Sequence, residues 1–412
     1  MKALSSSAKQ KYLDRLKVHS KGEIHDFCDA LIEAKEEAIA DEKESALHLN
    51  DQNLSLVIMD LFIAGSDTTA LTMRWIILLM ANNIEMQLRM RHEINDIIGD
   101  RVADNHHKND CHYVNAFIAE TLRYKGVAPL GIPHVALCDM QLGSKYLNDS
   151  FVFGNLLAIS NDPNLWPKPD VFSPNRFLDK DNKYMSALPG FTPFGIGRRI
   201  CLGERLALAD LFYITVRLLK STKDYVFALP SGGGTADLDL DPNNELMGRI
   251  KTSFGEVLLQ NGKDVVFSDH GPVWASLRRV GHSAVRKLAV SEKLSDLADD
   301  VVNETVETMI SNEGIGKPFN PKTYIYMSVF NIIASSAFGK RYSFDDKELK
   351  FFEESFEYFR ANTNPLFLVD RVPILKPFYA NIVNKTLQTV KSLSSSVKQK
   401  YLVADFHVSF PL

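Results

Sequence analysis

The sequence predicts a mainly α-helical protein with minor β structure. Three observations carry that: long segments repeat apolar residues at helical spacing, strand-like runs are few and short, and one proline-rich loop interrupts the pattern. The helical spacing covers residues 24–40, 53–80, 86–98, 113–124, 203–219, 290–310 and 323–337. Strand candidates are residues 151–159, which mix β-branched and apolar side chains, and pieces of residues 132–142. Between Trp166 and Phe194 the chain carries Pro167, Pro169, Pro174, Pro189 and Pro193, so about thirty residues there must form an ordered loop. Residues 231–244 (SGGGTADLDLDPNN) turn glycine-rich and then acidic without apolar periodicity, which marks a junction.

Composition narrows the class. With 45% hydrophobic and 24% charged residues the chain can bury a large core. Lys+Arg of 47 against Asp+Glu of 51 gives a net charge of −4, so no basic excess points to nucleic acid, and a small molecule is the expected partner. Cys28, Cys111, Cys138 and Cys201 are scattered, which does not make a disulfide framework and suits a reducing compartment. Residues 1–20 carry charge throughout and lack the apolar run of a signal peptide or anchor. The most apolar stretch, residues 54–81, is interrupted by Asp60, Asp67 and Arg74 and reads as a buried helix rather than a bilayer span. Residues 2–13 (KALSSSAKQKYL) return almost unchanged at residues 391–402 (KSLSSSVKQKYL).

Chemistry concentrates in a few short segments. In the run from Phe194 to Glu204 (FGIGRRICLGE), glycines at 195, 197 and 203 permit a turn that aims backbone N–H groups at the Cys201 sulfur. A helix opening at Leu202 or Gly203 favours the thiolate through its dipole. The bland alternative is a buried cysteine at a loop-to-helix corner. Ala64-Gly-Ser-Asp67-Thr68-Thr69 places an acid and hydroxyls inside the long apolar helix, where they suit proton movement or, alternatively, a small-residue notch for a crossing helix. Glu120-Thr-Leu-Arg123 puts opposite charges on one helical face. His106, His107, Cys111 and His112 lack the spacing of a zinc site and lie in a polar stretch.

The cysteine segment resembles the haem-binding loop of the cytochrome P450 family, and the pattern of the chain resembles its microsomal steroid 17-alpha-hydroxylase/17,20-lyase-like members. The resemblance implies a cytochrome P450 fold holding haem b (iron protoporphyrin IX), with Cys201 as the iron ligand, Phe194 and Gly195 in its loop and Arg199 facing a propionate. It implies Thr68 and Asp67 as catalytic residues of oxygen activation, and Glu120, Arg123 and Arg176 as a structural set that fixes the haem loop. In the second half, Trp274 and Arg278 match a Trp-x-x-x-Arg helix whose indole N–H and guanidinium meet a propionate. Arg249 and His134 fall where the steroid-hydroxylase relatives also contact propionates, and Asn362 is a candidate polar anchor for substrate.

The same resemblance implies a monooxygenase that hydroxylates a lipophilic, steroid-like molecule with O2 and electrons from NADPH-cytochrome P450 reductase, on the cytosolic face of the endoplasmic reticulum membrane. Residues 1–240 resemble the family's carboxyl-terminal half and residues 241–412 its amino-terminal half, so the halves stand in swapped order. The amino-terminal anchor and first strands are expected to be missing. A circular permutation and a join between two tandem gene copies both fit the terminal repeat; bare core left by missing strands favours the second. The rival functional class is a rearranged, non-catalytic product with impaired haem binding.

Overall fold

The computed structural model describes residues 12–41, 44–132, 134–136, 138–147, 151–229, 265, 271–315, 317–346, 349–350 and 353–354. Within them run α1 (Phe27–Ala40), α2 (Asp51–Asn82), α3 (Ile84–Ile97), α4 (Asn105–Asp110) and α5 (His112–Tyr124). Four short strands follow: β1 (His134–Val135), β2 (Met140–Leu142), β3 (Lys145–Leu147) and β4 (Phe151–Val152). Then come α6 (Leu156–Ser160), α7 (Glu204–Ser221), α8 (Pro272–Ala289), α9 (Glu292–Glu313) and α10 (Lys322–Phe338).

Local chemistry sets the helix starts. Asp26 caps α1 by accepting from the Asp29 N–H, and Asn50 caps α2 by accepting from Asn53. Pro272 opens α8, where its missing N–H has no intrahelical partner to lose. Along α2 the hydroxyls of Ser66, Thr68 and Thr72 donate to the carbonyls of Phe62, Ala64 and Thr68, so these polar side chains are satisfied within their own helix.

The core is a bundle in which α2 packs on α10 and α7, while α9 packs on α7 and α10. Two of these helices come from each sequence half, and a single cluster of buried apolar residues draws on both. Phe62 of α2 meets Phe330 of α10 edge to face, with ring centroids 5.1 Å apart. Helix α8 lies outside the bundle against α1 and also touches α7. By length and composition α2 could cross a bilayer, but Leu54, Ile58, Phe62, Met73, Ile76 and Met80 on it are buried inside the protein.

Among the described residues the strands form two antiparallel pairs, β1 with β4 and β2 with β3. The strand expected over residues 151–159 is corrected. Only Phe151–Val152 pairs, and Leu156–Ser160 is helical because the Asn155 side chain accepts from Ala158 N and caps a new turn. The proline-rich loop is ordered: Trp166 and Phe177 join Ala116 and Ala119 of α5 in a small core of their own. Arg249, Asn362, the junction at residues 231–244 and the second copy of the repeat lie outside the described residues.

Candidate functional site

Cys201 sits between a tight loop and the start of α7. Its N–H donates to the Phe194 carbonyl at 2.8 Å, and Gly195 N donates to Thr192 O at 3.0 Å. Gly195 and Gly197 adopt φ of +77° and +72°, conformations that side-chain-bearing residues avoid. Among the described residues, a Cβ placed on Gly195, Gly197 or Gly203 would meet nothing within 4 Å. Cys201 itself is exposed. Surrounding protein still pushes its thiol up by desolvation, while N–H donors of Gly203 and Glu204 and the charge of Arg278 pull the other way. An exposed cysteine sulfur with N–H groups turned to it fits the thiolate ligand of an iron porphyrin.

Helix α8 brings the cationic side of the site. Arg278 donates to the Ile200 carbonyl, one residue before the cysteine. Arg199 stacks on the Trp274 ring at 4.1 Å, and Arg278 flanks the same ring at 5.4 Å. Burial lowers the Arg278 pKa, and the Cys201 charge opposes that shift. The Trp274 indole N–H donates to Val265 O at 3.0 Å, and Val265 N donates to Asp60 of α2 at 2.8 Å, which ties α8 back to the bundle. Sequence reading brought Arg199, Trp274 and Arg278 together through the family resemblance. It missed Gly281 on α8, where a Cβ would come within 3.0 Å of Val57 and 3.3 Å of Leu202.

The Glu120 set is fully assembled. Glu120 and Arg123 are buried, and Arg123 Nε and Nη2 donate to the two carboxylate oxygens at 2.7 and 2.8 Å. Arg123 also donates to the carbonyls of Ser160 and Pro169, and Ser173 N donates to Glu120 at 2.8 Å. Arg176 Nε approaches Glu120 at 3.4 Å, an ion-pair contact, while its other nitrogens donate to the Pro167, Lys168 and Val171 carbonyls. A buried charge pair is tolerable only when most of its donors and acceptors are satisfied; Glu120 and Arg123 satisfy one another and the loop backbone, while Arg176 Nε has only its ion-pair contact among the described residues.

On α2, Thr68 is exposed and its hydroxyl donates to Ala64 O at 2.7 Å. Asp67 accepts a 2.5 Å bond from the Tyr326 hydroxyl of α10, a partner 259 residues away that no sequence motif announces. His134 stands on β1 opposite Val152 with its side chain exposed. In the histidine-rich stretch, His107 forms a capping box with Asp104, and burial pushes the Cys111 thiol up to about 12.

The chain is similar to steroid 17-alpha-hydroxylase/17,20 lyase of Squalus acanthias, 36% identical over 52% of this chain and 43% of the relative. It is similar to cytochrome P450 2K6 of Danio rerio, at 37% over 47% of this chain and 38% of the relative, and to cytochrome P450 2U1 of Rattus norvegicus, at 39% over 50% and 38%. Each of these matches spans less than half the length of the relative. The model of the family described as Cytochrome P450 matches residues 1–223 and 240–402. A family match that runs through both halves of the chain, on a mostly helical fold, decides its kinship: the protein belongs to the cytochrome P450 family.

Proposed function

We propose that this chain is a haem-dependent monooxygenase that hydroxylates a lipophilic, steroid-like small molecule, using O2 and electrons from NADPH-cytochrome P450 reductase. The observation that carries the reading is the Cys201 loop, with Gly203 and Glu204 N–H groups turned to an exposed sulfur framed by glycines that no described side chain crowds. Members of the family hold haem b through a cysteine thiolate, and when bound it supplies the redox chemistry that cleaves O2. Cys201 is the ligand in this proposal, and Phe194 and Gly195 shape its loop. Arg199, Arg278, His134 and Arg249 would meet the propionates in this proposal; the Trp274 indole N–H, expected there from the resemblance, is instead given to Val265 O, so Trp274 and Arg278 brace α8 against the cysteine loop. Glu120, Arg123 and Arg176 hold the proline-rich loop in place. Thr68 and Asp67 move protons from solvent toward the oxygen site, and Asn362 anchors a polar group of the substrate.

The similarity to the steroid 17-alpha-hydroxylase/17,20 lyase of Squalus acanthias supports the steroid-like class. The same kinship supports attachment at the endoplasmic reticulum membrane, facing the cytosol. The swapped order of residues 1–240 and 241–412 remains part of the proposal, with a join of tandem copies as its origin; a single transcript reading through residues 235–250 and encoding only this chain overturns that origin.

The reduced carbon monoxide difference spectrum tests the function. Wild type is expected to give the thiolate-type band, and Cys201→Ser to lose it, because a serine hydroxyl stays largely protonated. Cys111→Ser and Cys138→Ser should keep it, since Cys111 is a buried, protonated thiol and Cys138 lies exposed beside the β2–β3 hairpin. A wild-type chain that takes up haem without that band favours the non-catalytic product.

A further inference from the structure

Asp67 is held from outside its own helix. The face of α10 that meets α2 carries Tyr326, Phe330 and Ile333, spaced i, i+4 and i+7. Phe330 packs edge to face on Phe62, and Ile333 lies within 3.4 Å of where a Cβ on Gly65 would stand. Those two contacts fix how far α10 is rotated and slid along α2. With that register locked, the Tyr326 hydroxyl donates to Asp67 Oδ1 at 2.5 Å. The length lies at the short end of the range for O–H···O bonds, about 2.5–3.0 Å. Tyr326 is buried, so its ring has no room to swing aside, whereas Asp67 is only half-buried and Thr68 next to it is exposed.

We propose that Tyr326 is a positioning residue that clamps one oxygen of the Asp67 carboxylate and so fixes the rotamer from which Asp67 passes protons toward Thr68. The proposal rests on the reading of Asp67 as a proton carrier and extends it to a residue on another helix, in the other half of the chain. An aspartate on a helix surface has several staggered rotamers of similar energy. A relay needs one of them, because proton transfer requires donor and acceptor within about 2.6–3.2 Å. The phenol selects that rotamer without touching substrate or cofactor.

Two measurements test it. Isotope-edited infrared spectra of 13C-tyrosine-labelled, haem-free protein should show a band of a strongly donating phenol, lost in Tyr326→Phe and displaced in Asp67→Ala. An identical tyrosine spectrum in wild type and Asp67→Ala overturns the clamp. The second measurement uses haem-loaded enzyme with reductase and progesterone as probe, and follows the fraction of NADPH electrons leaving as hydrogen peroxide. Tyr326→Phe keeps the ring and its packing, and should raise that fraction two-fold or more and raise the solvent deuterium isotope effect on NADPH consumption. In an Asp67→Asn background the same substitution should add nothing, since in this proposal Tyr326 acts through the carboxylate. A full additive effect there means Tyr326 matters through packing alone and sinks the proposal. Asp67→Asn that matches wild type, beside a Thr68→Ala that does not, removes Asp67 from the relay itself and the clamp with it. Asp67→Asn that raises peroxide beside an inert Tyr326→Phe removes the clamp alone.

Discussion

Asp210 lies on the buried face of α7 with neither carboxylate oxygen hydrogen-bonded among the described residues. Desolvation pushes its acid up from 3.8 to about 8, against the opposing pull of Lys108 on α4. Lys108 is pushed down to about 8, by desolvation first, with Asp210 acting to raise it and Arg205 to lower it further. The folded Asp210 thus keeps a proton that the unfolded chain has lost between pH 3.8 and about 8. Its contribution to stability is full below that window and is lost as pH rises through it. Lys108 works in the opposite sense at higher pH: its contribution is lost as pH falls from 10.5 toward about 8. Asp210→Asn keeps the shape and removes the titration. The thermal midpoint of wild type should therefore fall relative to that variant from pH 5 to pH 8, and parallel midpoint curves would contradict the assignment.

At the scale of elements, α8 does two jobs with one glycine. Gly281 lets the helix approach Val57 of α2 and Leu202, the residue directly after the cysteine. An interior glycine costs a helix about 1 kcal/mol relative to alanine, so its presence in α8 is a departure from local preference that close packing offsets. Sequence shows the glycine but not what it approaches. Gly281→Leu forces side-chain volume into a gap that a single Cβ already fills to 3.0 Å. The expected result is a loss of about 1–3 kcal/mol in stability from overpacking. Urea unfolding reads it, and an unchanged midpoint would mean that α8 slides freely over the cysteine loop. The Glu120 set teaches the complementary lesson. Its i,i+3 charges could have been a surface pair worth about 0.2–0.5 kcal/mol, and burial together with backbone partners along the loop makes it a joint between α5 and the loop.

For the whole molecule, the bundle divides its four helices between the sequence halves: α2 and α7 from the first, α9 and α10 from the second. Neither half can bury its apolar stripe alone. Without α10 the Phe62 ring loses its partner Phe330, and without α9 the side chains of Ile214 and Leu218 on α7 lose a covering neighbour. A fragment of residues 1–240 should accordingly bind hydrophobic dyes and lack a cooperative thermal transition, as expected of a chain with secondary structure and no fixed packing. A sigmoidal unfolding curve with a native-like near-UV dichroism from that fragment would show that the first half folds without the second.

Much of the fold is legible in the sequence. The segments expected at residues 53–80, 113–124, 203–219 and 323–337 are the helices α2, α5, α7 and α10 within a few residues, because a helix closes its hydrogen bonds four residues away and its apolar stripe is a local pattern. The glycine-framed cysteine and the Glu120–Arg123 spacing are equally local. Where neighbours compete at short range the reading slipped: residues 151–159 have strand composition, and the Asn155 cap turned their second part into a helix. Helix α8 and the short α4 were not marked by periodicity at all. Tertiary structure alone decided that Trp274 gives its indole hydrogen to Val265, that Asp210 faces Lys108, and that Tyr326 meets Asp67. Each of those depends on how one helix is rotated and slid against another, a choice made by interdigitating side chains across the whole core rather than by any stretch of chain.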